Sequence, residues 1–223
     1  MRHKNSHLLV GYWSKLRRGR DVPDQTDIDP RAIKRVLSYV FILDAEDPSR
    51  PIYRLAGTGL CERFGFELKG TGFFAHWEAQ SSAALGALLE QALKLKQPVC
   101  LTSVGASADC GMVELETVLA SISFGPGGAR RFVGMIQILS DASQLRGRPI
   151  AFQRLAASQL IREDEPVSTN NDLPPPPVML RPHPRAPHLR LVVSQEKPAG
   201  LAFEAESIIE RMFTVLGGGF SAG

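Results

Sequence analysis

The chain has 223 residues, 43% of them apolar and 22% charged, and its 26 Lys and Arg against 23 Asp and Glu leave a net charge of +3. That composition builds a core, and without clustering it is too weakly basic to imply a nucleic-acid partner. Cys61, Cys100 and Cys110 stand far apart with no CxxC pair and no histidine at ligand spacing, which argues against a disulfide scaffold or a zinc site and fits a cytoplasmic protein.

No apolar run approaches the roughly 18 residues that span a bilayer, so no integral membrane segment is expected. The opening MRHKNSHLLVGYWSKLRR lacks the apolar centre of a signal peptide. Residues 6–18 set Leu8, Leu9, Tyr12, Trp13 and Leu16 at helical spacing, predicting a helix that docks by one stripe. Residues 1–20 also hold six basic side chains (Arg2, Lys4, Lys15, Arg17, Arg18, Arg20) and no acid. They form either a solvated helix end or a contact for phosphates or an acidic membrane surface. In DIDPRAIKRVL, Asp29 suits an N-cap and Pro30 a first helical turn, which predicts a second helix burying Ile33, Val36 and Leu37.

From Tyr39 the pattern changes to strands: YVFILDA, then IYRLAGT after the turn EDPSRP. Glycines at 57, 59, 65, 70 and 72 then break the chain into short helical turns bearing Phe64, Phe66, Phe73, Phe74 and Trp77. Residues 81–96, rich in Ala and Leu and ending before Pro98, predict a longer helix with Leu85, Leu88, Leu89, Ala92 and Leu93 on its apolar face. VCLTSVG, MVELETVLASISF and RFVGMIQIL follow as three strands in a meander. Five strands split two and three around a helical insertion predict the α+β class, in which antiparallel meanders carry helices packed on one face.

Nine of the sixteen prolines lie between Pro166 and Pro198. The expected organisation is therefore one domain over residues 1–160 with its N-terminal helices, a disordered proline-rich linker over 163–188, and a tail over 189–223. In that tail Ile208, Ile209, Met212, Phe213 and Leu216 mark a short amphipathic helix, which docks either on its own domain or in a partner's groove.

The segments YWSKLRRGRDVPDQTDIDP, YRLAGTGLCERFGFELKGTGF and GMVELETVLASI…RRFVGMIQIL together resemble a divergent subfamily of small alphaproteobacterial PAS-domain proteins, over about residues 7–160. The resemblance implies a five-stranded antiparallel PAS sheet with a small pocket beneath its short helices, used for signal binding and for dimer or partner contacts, and no reaction. Light-sensing relatives carry a flavin-reactive cysteine after the G-x-E-L-x-G turn, whereas Cys61 precedes it. Haem-binding relatives use a helical histidine, for which His76 in FFAHWEA is the candidate here.

No Walker loop, nucleophile elbow, kinase signature or zinc spacing is present, so no catalytic or metal-binding residue is assigned and no cofactor is identified. Glu114 and Glu116 share a strand face, where they form either a carboxylate pair or ordinary surface charges. The acidic residue at 116 also matches a position of the family's strand motif, which implies a role in fixing backbone or pocket geometry. The function expected is a non-catalytic sensory or regulatory module binding a small ligand or a protein partner, with homodimerisation open. Tyr53, Phe64, Phe74 and Trp77 are expected to line the ligand pocket, plain core packing being the alternative for these aromatics. A ligand-free adaptor acting through tail and dimer surface, and a haem sensor, are the competing readings.

Overall fold

A computed structural model describes residues 1–125 and 128–161. The linker and tail expected over 163–188 and 189–223 lie outside these residues.

Helix α1 (Lys4–Arg17) opens the chain, with the His3 imidazole accepting the Asn5 N–H as its N-cap. It ends where Arg18 and then Gly19 enter the left-handed region. Leu9, Val10 and Trp13 are buried, each aliphatic one contributing on the order of 2 kcal/mol. Leu8, Tyr12 and Leu16, on the edges of the stripe, are half-buried.

The segment after it departs from expectation. Asp29 does accept the Arg31 N–H, but the bonds that follow are i to i+3 turns, Ala32 to Asp29 and Val36 to Ile33, rather than a continuous helix. Ile33 and Val36 are buried, while Leu37 is 37% exposed. A turn of this kind brings only every third side chain inward.

Six strands form one antiparallel sheet: β1 (Val40–Asp44), β2 (Ile52–Ala56), β3 (Val99–Ala106), β4 (Met112–Ser123), β5 (Ala129–Ile138) and β6 (Phe152–Leu160). Their order is β2-β1-β5-β4-β3-β6. Five of them are the expected set, with β3, β4 and β5 in the expected meander. The sixth, paired to β3, adds a strand the sequence reading left unassigned.

Between β2 and β3 lie α2 (Thr58–Phe64), a short 3-10 turn over Phe73–His76, and α3 (Ala79–Leu95). These cover one face of the sheet over a core that includes Phe41, Tyr53, Leu60, Phe73, Leu85, Leu89 and Leu115. Covering the other face, α1 and Ile33 and Val36 build a second core with Val118, Ala120, Ile122, Val133 and Met135. Helices therefore flank both faces rather than one. The central strands accordingly read as nearly unbroken apolar runs, as strands buried on both sides do. Tyr39 packs against both cores.

Candidate functional site

The helix-side interior is an aromatic cluster with Phe73 at its hub. Its ring lies 6.1 Å from Phe41, 5.7 Å from Tyr53, 5.9 Å from Trp77 and 5.6 Å from Phe74. Phe41 and Tyr53 meet edge to face at 5.5 Å. β1 and β2 supply Phe41 and Tyr53 from adjacent strands, and the 3-10 turn lowers Phe73 onto them. Space for the Phe41 ring exists because Gly134 on β5 has no side chain: a Cβ there would stand 2.3 Å from the Phe41 ring and 2.8 Å from the Val118 carbonyl.

Of the four residues expected at a pocket, Tyr53, Phe64 and Trp77 lie buried in this cluster. Phe74 turns outward. Half-buried, it lines two adjoining surface grooves of about 650 and 640 Å³, one reaching along α3 past Ser82 and Gly86 and the other beside Ile52 and Gly70. Two adjacent residues of a 3-10 turn cannot both point at the sheet, and Phe73 takes the inward position.

A few polar atoms sit in this apolar space. Ser103 donates to the Gln153 carboxamide oxygen at 3.3 Å. Thr117 Oγ1, Trp77 Nε1 and His76 Nε2 are buried and meet no described hydrogen-bond partner. Burial, which outweighs a bond with the Ala151 backbone, holds the His76 pKa below its usual value and so favours the neutral imidazole. The ring lies 5.4 Å from that of Phe64 and 4.9 Å from that of Phe66. Desolvation raises the Tyr53 phenol pKa and keeps it protonated. Cys61, half-buried on α2, points its sulfur toward Glu67 at 3.6 Å.

Arg63 closes one end of the cluster. Its guanidinium lies 4.1 Å from the Tyr39 ring centroid and donates to the Ile136 carbonyl at 3.2 Å, a β5 group beyond the point where β1 begins. Sequence reasoning assigns no role to Arg63 and Phe41 and sets Phe73 on the short turns without making it a pocket residue, because these roles rest on contacts between distant segments.

On the opposite face Glu116, 1% exposed, accepts the backbone N–H groups of Arg2 and His3, the latter at 3.0 Å. Burial alone would raise its pKa, but these two N–H groups, with the positive chain terminus nearby, outweigh it and hold the carboxyl below its usual value. Glu116 is thus a buried anchor for α1 and not a surface charge. Its neighbour Glu114 pairs with Arg2 at the surface. Among the described residues no group of His, Cys, Asp and Glu is placed to hold a metal, and no helix is long and apolar enough to cross a membrane.

A sequence model of the PAS domain matches residues 1–137. The chain belongs to the PAS domain family. The six-stranded antiparallel sheet with its three helices is this α+β fold, and PAS domains are as a class sensory modules. No curated protein matches the chain. Solved structures similar to it include a light-oxygen-voltage domain described with a flavin analogue, 13% identical, covering 51% of this chain and 86% of that one at a TM-score of 0.40. The light-state blue-light photoreceptor Aureochrome1 LOV is 14% identical over 51% of this chain and 91% of that one, at 0.39. The Rhodobacter sphaeroides LOV protein is 16% identical over 52% and 73%, at 0.38. Likeness at that level carries no conclusion about what this chain binds.

Proposed function

We propose that this PAS domain is a non-catalytic sensory and regulatory module that takes a small, uncharged, largely apolar ligand into the interior beneath α2 and α3. The observation that carries the reading is that two buried hydrogen-bonding atoms, Trp77 Nε1 and Thr117 Oγ1, meet no described partner in a largely apolar interior. Leaving such groups unmet costs about 1–3 kcal/mol each, a cost that a ligand acceptor or an ordered water removes. Tyr53, Phe64 and Trp77 supply the apolar contact. In this reading Phe74 flanks the entrance, and residues 163–223 carry the signal outward to a protein partner in the cytoplasm. Native mass spectrometry of the protein purified from its own host, beside its ultraviolet-visible spectrum, tests this. An extra non-covalent mass supports a ligand, and a bare polypeptide under gentle ionisation counts against one.

A ligand-free adaptor is the second reading, favoured by the close mutual packing of Phe41, Tyr53 and Phe73. Deleting residues 163–223 would then abolish partner capture while leaving the domain folded. A haem-bound form is less well supported: His76 Nε2 is enclosed, and the Phe64 and Phe66 rings packed on the imidazole would have to withdraw before iron could reach it.

A further inference from the structure

A sheet ends in two strands whose outer backbone groups need partners, and proteins guard such edges with covering segments, charges, prolines or bulges. At β2 the guard is a covering segment. Tyr53 donates to the Thr71 carbonyl at 3.0 Å, Gly70 to the Tyr53 carbonyl at 2.7 Å and Phe73 to the Pro51 carbonyl at 2.8 Å. The first half of β6 is covered too, by Glu78 donating to the Gln153 carbonyl at 2.9 Å and by Ser81 Oγ accepting the Leu155 N–H at 3.0 Å.

Beyond a register irregularity at Ala156 no described residue covers the edge. Ala157, Ser158 and Gln159 are exposed. Ile161 donates to the Pro98 carbonyl at 2.8 Å, and the register pairs Gln159 with Cys100 and Ala157 with Thr102. By antiparallel alternation these residues turn their backbone groups toward β3, while Ser158 and Leu160 turn theirs outward. No described residue bonds to them there. The stretch Leu155–Ile161 holds no charge and no proline, and it lies outside residues 1–137, the part matched by the PAS domain.

We propose that this open edge pairs with the same edge of a second copy of the chain, antiparallel, about a twofold axis at Gln159. Ser158 then meets Leu160 of the second copy and Leu160 meets Ser158, giving four backbone hydrogen bonds. The two Gln159 side chains stand opposite each other, where their carboxamides can donate and accept reciprocally. The uncharged sequence sets no like charges across the axis, and the small side chains of Ala157 and Ser158 leave the approach open. An isologous contact closes both open edges at once with a segment that every copy carries. The inference is independent of the interior ligand, because the edge lies on the opposite side of β6 from β3 and involves none of the aromatic cluster.

Sedimentation velocity of the full chain across the micromolar range tests it with two variants at exposed Gln159. The native chain is expected to be a dimer. Gln159→Lys and Gln159→Glu should each weaken dimerisation by about fivefold or more, since each sets like charges opposite one another. An equal mixture of the two should restore dimerisation to at least the native level. Circular dichroism verifies that both variants fold. A native chain that stays monomeric overturns the proposal. So does a dimer indifferent to both charges, or a mixture that fails to recover.

Discussion

The carboxylate of Glu116, buried on β4, accepts the backbone N–H of His3, 113 residues away in sequence, and so fixes where α1 begins on the sheet. Replacing it with alanine leaves the Arg2 and His3 N–H groups without that acceptor and should destabilise the domain by on the order of 1–3 kcal/mol. Urea denaturation followed by the fluorescence of Trp13 and Trp77 together measures this. A variant as stable as the native chain would mean that the bonds contribute nothing net.

The same carboxyl predicts an acid limb. Its pKa in the folded state lies below the unfolded value, so the stability it supplies is complete at neutral pH and lost as pH falls through the ordinary carboxylate range toward the lowered folded pKa. Glu116→Gln, which cannot titrate, should flatten that limb. Unfolding midpoints measured in urea from neutral pH downward for both proteins give the comparison.

Gly134→Ala should cost about 1–3 kcal/mol, because the new methyl meets both the Phe41 ring and the Val118 carbonyl, and the latter is backbone that cannot step aside. Thermal unfolding reads the loss directly.

Thr117→Val and Trp77→Phe each remove a buried polar atom that meets no described partner. In ligand-free protein Thr117→Val should raise stability by up to about 1 kcal/mol, and Trp77→Phe should cost less than burial of a whole indole would suggest. A bound ligand reverses the sign: both variants then lose whatever mass accompanies the native chain. Denaturation and native mass spectrometry on the same preparations separate the cases.

The three thiols should differ in reactivity. Burial, with the Glu116 charge beside it, pushes the Cys100 thiol up to about 11, so little thiolate exists near neutral pH. Cys110 is exposed at the β3–β4 turn. Iodoacetamide under native conditions should alkylate Cys110 first and reach Cys100 only after unfolding, as peptide mass spectrometry would show.

What the sequence made legible follows the range of the forces involved. Helix α3 was readable because Ala and Leu propensity and the stop at Pro98 are local. The strands were readable as runs, but not which face each residue takes, since a strand buried on both sides has no polar contrast. Glu116 looked like a surface charge because its cover comes from the far end of the chain. FQRLAASQL escaped notice as a strand, its small exposed residues lacking the β-branched signature. At the candidate site the aromatics were legible as a set, yet which of Phe73 and Phe74 turns inward depends on a 3-10 turn whose phase no local pattern announces.

Because the sheet separates two cores, the layer formed by α1, Ile33 and Val36 can detach as a cooperative unit while the aromatic side stays closed. Amide hydrogens in α1 should therefore exchange at a lower free energy than those at the centre of β4. Among the described residues Tyr39 is the partly buried side chain that packs against both cores, and its ring under the Arg63 guanidinium is where loosening of one layer would be transmitted mechanically to the other.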